Sequence, residues 1–143
     1  MKYLLMSIVS LLMSQPLYAQ DTPVATQDPE VTYEINIGDE TEIKTINYNY
    51  NFGRVYVGDR RNAIFTLRNS SSLPIIIQDI DIDGEGFNGG DNCPRVLLRG
   101  DRCSVRVSFR PYNNGQYRGE VDMELSGHED IRIRLRGRGV WFR

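Results

Sequence analysis

The chain has 143 residues with 17 Lys and Arg against 19 Asp and Glu, a formal net charge of −2. That length suits one domain with its own core and leaves no room for a second, and the near balance of charge excludes the basic footprint of a nucleic-acid binder. The charge is unevenly spread: residues 20–50 carry seven acids and only Lys44, whereas residues 94–143 carry eleven arginines and six acids.

The first nineteen residues read as a secretory signal peptide. Lys2 supplies a short basic start, residues 3–13 form an apolar run, and Ser14, Gln15 and Pro16 break it before a cleavage point expected after Ala19. A run of eleven residues falls short of the roughly 20 that span a bilayer, so the mature chain is expected to have no transmembrane span and to be periplasmic or secreted. Residues 20–30 are polar with two prolines and read as a flexible acidic lead.

From there the pattern is of strands. Val31, Tyr33, Ile35 and Ile37 alternate with polar residues, Gly38 and Asp39 mark a turn, and Ile46, Tyr48, Tyr50 and Phe52 share the next apolar face. Residues 31–46 are therefore expected to form an N-terminal β-hairpin extension ahead of a main domain over 47–143. Turn signals then recur about every ten residues, which argues for an all-β sandwich rather than βαβ units. Val55 and Val57, then Ala63, Phe65 and Leu67, alternate toward turns. Ile80 and Ile82 interleave with Asp79, Asp81 and Asp83, and a Gly- and Asn-rich loop leads to Cys93. Strands are expected at residues 102–110, 117–125 and 131–137, and no segment has a helical apolar period.

The two cysteines of an exported chain most simply form one disulfide. Cys103 shares parity with Val105, Val107 and Phe109 and so faces the core, and Cys93 lies one short loop upstream. A metal site has no further ligands to draw on, since the single histidine, His128, is distant in a turn.

The last two strands carry opposite charges on their outward faces. Arg118, Glu120, Asp122 and Glu124 alternate with apolar residues on one, and Arg132, Arg134, Arg136 and Arg138 on the other. Keeping both apolar sets on one face requires residues of equal parity to lie opposite. A five-residue loop pairs Glu124 with Arg132, Asp122 with Arg134 and Glu120 with Arg136; a three-residue loop shifts this by two. The arginine row thus reads as a charge ladder, with an anionic-ligand site as the competing reading.

Several motifs tempt and fail. Gly84-x-Gly86-x-x-Gly89 spells the dinucleotide fingerprint, but Asp91, Asn92, Cys93 and Pro94 follow where a helix is needed. Asp79-x-Asp81-x-Asp83-Gly84 opens like a calcium loop, yet Gly90 stands where a bidentate Glu belongs. Arg99-Gly100-Asp101 matches an adhesion tripeptide but sits at a tight turn. No nucleophile–base pair is legible, so neither catalysis nor a cofactor is expected.

Taken together, Phe52-Gly53-x-Val55-x-Val57-Gly58, Arg68-Asn69-Ser70-Ser71, Cys93, Gly100-Asp101-x-Cys103, Val107-x-Phe109-x-Pro111, Gly115-x-Tyr117-x-Gly119 and Leu135-x-Gly137-x-Gly139 resemble the ASH-type module. This is the immunoglobulin-like domain related to major sperm protein and hydin repeats. The resemblance covers about residues 50–140 and implies a seven-stranded antiparallel immunoglobulin-like β-sandwich. It also implies a non-catalytic interaction or structural role. Partners are then expected among other envelope or secreted proteins, with self-association through residues 31–52 or an anionic glycan or calcium as alternatives. The residues expected to carry such contacts are Val31, Tyr33, Ile35, Tyr48, Tyr50, Arg132, Arg134 and Arg136, at open strand edges and on the arginine row.

Overall fold

Alternation of apolar and polar residues, broken at short intervals by Gly, Pro, Asn and Asp, leaves a chain that can bury its apolar atoms only between two sheets. The computed structural model, which describes residues 31–38 and 45–142, has that form. Nine strands run in order: β1 Val31–Ile37, β2 Ile46–Tyr56, β3 Arg61–Asn69, β4 Ile75–Asp83, β5 Phe87–Asp91, β6 Val96–Leu97, β7 Arg102–Phe109, β8 Gly115–Ser126 and β9 Ile131–Val140. One sheet has the order β1-β3-β7-β5 and the other β2-β9-β8-β4-β6. The signal peptide and acidic lead expected over residues 1–30 lie outside the described residues.

The core between the sheets is built from inward residues of both. Phe52, Ala63, Phe65, Leu67, Val105, Val107, Phe109, Val121, Met123, Ile131, Ile133 and Leu135 are all nearly inaccessible to solvent. Aromatic rings concentrate at one end, where Phe109 touches Phe87 (4.8 Å between centroids), Phe52 (5.6 Å) and Tyr117 (5.3 Å). Gly137 on β9 faces this cluster, and a Cβ there would overlap the Phe109 ring. The Tyr117 hydroxyl closes the turn before it, accepting from Asn113 N–H (2.8 Å) and donating to Asn113 O (3.1 Å).

The expected staple is present: Cys93 and Cys103 are joined by a disulfide with their Cα atoms 4.8 Å apart. Cys103 is buried on β7, as its parity required. A second clamp was legible only as part of a motif. Asn69, fully buried, donates to Leu73 O and Leu97 O (both 2.8 Å) and accepts from Ser71 N–H (2.9 Å) and Ser71 Oγ (2.7 Å).

Three expectations need correction. First, β1 and β2 are not a hairpin. β1 pairs in parallel with β3, and β2 pairs in parallel with β9, so the two strands lie in different sheets and the sandwich is not wholly antiparallel. The split buries more: Ile35 and Ile37 extend the apolar face of Phe65 and Leu67, while Tyr50 and Phe52 cover it from the opposite sheet. Tyr50 packs edge-on against both Tyr33 (5.1 Å) and Phe65 (5.5 Å). Second, after β1 the described residues form eight strands where a seven-stranded sandwich was expected. The Gly- and Asn-rich stretch read as loop supplies β5, which pairs with β7 because Gly89 admits the close approach of the Arg106 carbonyl. Third, the β8–β9 register is displaced by two from the five-residue-loop expectation. Pairing begins at Met123 opposite Ile131, while Leu125 and Ser126 at the end of β8 pair with β4 alone. Residues 127–130 form the connection, and Leu125 N–H donates across it to Asp130 Oδ1 (3.1 Å).

Candidate interaction surfaces

Two surfaces combine exposure with unusual chemistry. One is the side of the sandwich where β1 ends one sheet and β2 ends the other. Each has a backbone edge with no strand partner among the described residues, and Tyr33 (45% exposed) and Tyr48 (38%) stand open beside them. Ile35 and Tyr50, expected to reach a partner, are core residues instead. Burial pushes the Tyr50 phenol above its ordinary pKa, with a smaller push from Tyr33. Val31 is placed by its backbone opposite Ala63.

The other surface is the outward face of the five-stranded sheet, whose charges fall in rows across the strands. Asn47, Arg132, Asp122 and Asp81 form one row, and Asn49, Arg134, Glu120 and Asp83 the next. The following rows are Asn51, Arg136 and Arg118, then Arg54, Arg138 and Gln116. Acid meets base in the first two rows alone. Arg132 bonds Asp122 Oδ1 (2.7 Å) and lies 3.2 Å from Glu120 Oε1; the hydrogen bond to Asp122, then the two carboxylate charges, hold its guanidinium above its ordinary pKa. Partial burial, then a hydrogen bond that protonated Glu120 donates to Asp122 and the like charge of Asp122, push Glu120 up, against the pull of Arg132 and Arg134.

Arg54, Arg118, Arg136 and Arg138 are exposed, and none has an ion pair among the described residues. With Asn51 and Gln116 they surround a concavity of about 330 Å³ floored by Gly53 and Gly137. Arg54 is there because of a β-bulge. Asn47, Asn49 and Asn51 point outward and Phe52 inward, but the register shifts between Asn51 and Arg54, where Gly53 has φ 72°, so Arg54 points outward and Val55 inward. Strict alternation hid Arg54; a glycine inside an alternating run was the signal that could have revealed it. Arg54 also lines a second concavity, of about 430 Å³, with Tyr56, Val140 and Trp141. The Tyr56 and Phe142 rings are stacked there at 3.9 Å, and Trp141 (58%) and Phe142 (73%) are among the most exposed large apolar residues described.

The structure therefore divides the residues expected to carry contacts. Tyr33 and Tyr48 sit at the open edges, Arg132 is neutralised by acids, and Arg136 belongs to the unpaired cluster. At the acidic end of the same face, Asp79, Asp81 and Asp83 lie opposite Glu124, Asp122 and Glu120. Among the described residues no group of three or more His, Cys, Asp or Glu side chains is placed to hold a metal ion, and no helix is long and apolar enough to cross a membrane. After Gly84 and Gly86 the chain enters β5 rather than a helix, so the glycine-rich stretch builds a turn and not a phosphate cradle.

Comparison with known structures places this fold. The ASH/PapD-like domain 7 of human CEP192 superposes with a TM-score of 0.55 at 14% identity, covering 68% of this chain and 84% of that one. The Vibrio cholerae VesB protease gives 0.52 at 20% identity over 64% of this chain and 30% of its own. The secreted serine protease VesC from Vibrio cholerae gives 0.52 at 17% identity over 62%, and the chain spans only 21% of it. At such identities these likenesses concern the fold alone. No curated protein matches the chain in sequence at a significant level. The model of the HYDIN/CFA65/VesB-like, Ig-like domain matches residues 43–138, which takes in β2 to β9 up to Arg138, and the chain belongs to that family of ASH-type immunoglobulin-like domains.

Proposed function

We propose that this chain is an exported, non-catalytic interaction module that serves as an accessory or structural subunit of an envelope or secreted assembly. The observation that carries the reading is the shared open side of the sandwich: edge strands β1 and β2, one from each sheet, with Tyr33 and Tyr48 exposed beside them. Unpaired strand edges are templates for an added strand, with main-chain hydrogen bonds supplying affinity and flanking side chains selectivity. Membership of the immunoglobulin-like family supports an interaction role in general terms. The apolar start of the sequence and the Cys93–Cys103 disulfide support export to an oxidising compartment.

The test is capture from an envelope extract with the tagged mature protein, beside a Tyr33→Asp/Tyr48→Asp variant. A defined protein retained by the wild type and lost from the variant supports the reading; identical captures by both dismiss it. N-terminal sequencing of the exported protein checks cleavage near Ala19, and recovery of the intact precursor in the cytoplasm overturns the localisation.

A second reading is favoured by one observation. β1 lies outside the residues matched by the family model yet places Ile35 and Ile37 in the core. Such a strand can be donated to a neighbouring copy. Deleting residues 20–46 then lowers the mass of the assembly in light scattering, and an unchanged mass rules it out.

A further inference from the structure

We infer that Arg54, Arg118, Arg136 and Arg138, together with the adjoining Tyr56, Trp141 and Phe142 rings, form a binding site for an anionic saccharide. The inference does not rest on the edge-strand reading above: Arg54 and Tyr56 lie on β2, but the site uses side chains on the outward face of the sheet and neither Tyr33 nor Tyr48.

The first argument is electrostatic. Arg118 stands directly opposite Arg136 on the neighbouring strand, and Arg54 directly opposite Arg138. Like charges so placed oppose sheet formation. The same face shows the alternative two rows away, where Arg132 is met by Asp122 and Glu120. Four arginines line one concavity, none of them in an ion pair among the described residues, and the bulge at Gly53 turns Arg54 to this face. An anion held among them relieves the repulsion. The planar forks of arginine match carboxylate, sulfate and phosphate in two-point contacts.

The second argument concerns shape and the remaining chemistry. The arginine concavity and the aromatic one share Arg54 as a wall, and at about 330 and 430 Å³ each lies within the range of small-ligand sites, about 300–1,000 Å³. The Tyr56–Phe142 stack, with rings inclined by only 18°, presents a flat electron-rich face suited to the positively polarised C–H groups of a sugar ring. The Asn51 and Gln116 amides at the rim of the first concavity can each donate to and accept from hydroxyls. A bare anion would leave the platform unused, and an acidic peptide would leave the amides and the flat stack without a matching ring. A sugar acid engages all three.

Calorimetry with the mature protein at low salt tests this, using oligogalacturonate, a sulfated heparin-derived oligosaccharide, maltohexaose as the neutral control and oligoglutamate as the peptide control. Expected is binding of at least one charged saccharide, the better of the two naming the acid group, with no heat from maltohexaose. Affinity falls about tenfold or more in Arg118→Gln/Arg138→Gln, the scale of one lost charged hydrogen-bond pair. It also falls in Trp141→Ala, while the melting temperature of the arginine variant is unchanged or raised. Oligoglutamate binding as tightly as the saccharides overturns the proposal in favour of an acidic peptide. Silence from both charged saccharides, or undiminished binding by either variant, overturns it outright.

Discussion

Arg118 on β8 and Arg136 on β9 face each other directly across an antiparallel pair, the one place on this hairpin where the outward charges repel rather than attract. Replacing Arg118 with Glu turns the contact into an attractive one and is expected to raise the unfolding free energy by about 0.2–1 kcal/mol. Urea denaturation at low salt checks this. The gain shrinks as salt is added, because the pair is exposed and screened; a loss of stability would show that Arg118 is satisfied by its surroundings.

Glu120 behaves oppositely to most carboxylates in folded proteins. Its pKa is raised above the ordinary 4.5 in the folded chain, by partial burial first and by Asp122 next. The native state therefore holds a proton that the unfolded state has released, and stability falls as pH rises from the unfolded value through the raised one. Glu120→Gln removes that penalty. The variant is expected to gain on the wild type at neutral pH and to lose the advantage at pH 4 in paired denaturation curves.

Asn69 ties the turn holding Ser71 and Leu73 to β6 with one side chain. Asn69→Ala leaves the Leu97 and Leu73 carbonyls and the Ser71 N–H without this partner, at an expected cost of about 2–3 kcal/mol. Asn69→Asp should cost at least as much, since a carboxylate would aim its oxygens at two carbonyl acceptors. A melting temperature within a degree of wild type for either variant would refute the assignment.

Opening the Cys93–Cys103 bridge releases a short loop, ten residues apart in sequence, and is expected to destabilise by about 3 kcal/mol in the chain-entropy model. Melting with and without reductant, beside a Cys93→Ser/Cys103→Ser variant, measures it. The two should agree, because Cys93 and Cys103 are the only thiols in the chain.

Gly137 gives room to Phe109 at the aromatic end of the core. Gly137→Val drives two branches into that ring and is expected to cost about 1–3 kcal/mol by overpacking. The double variant with Phe109→Leu should recover part of the loss, which a purely local effect on β9 would not allow.

Alternation along the chain determined most of the strands, the burial of Cys103 and the disulfide, and the family motifs determined the sandwich, because each depends on which side of a strand a residue occupies and on short spacings. Tertiary structure alone decided which strands became neighbours. The turn signal at Gly38 could not say whether the chain doubles back within a sheet or passes to the other one; it passes over, because Ile35 and Tyr50 bury more by closing the sandwich from both layers. Likewise the ladder read on β8 and β9 was right in kind and displaced in register, since the Asp130 side chain takes the Leu125 N–H. Arg118, Arg136 and Arg138 were legible as outward residues, and the switch of apolar parity from Phe52 to Val55 across Gly53 marked the bulge; only the partner strands showed that these three and Arg54 line one concavity.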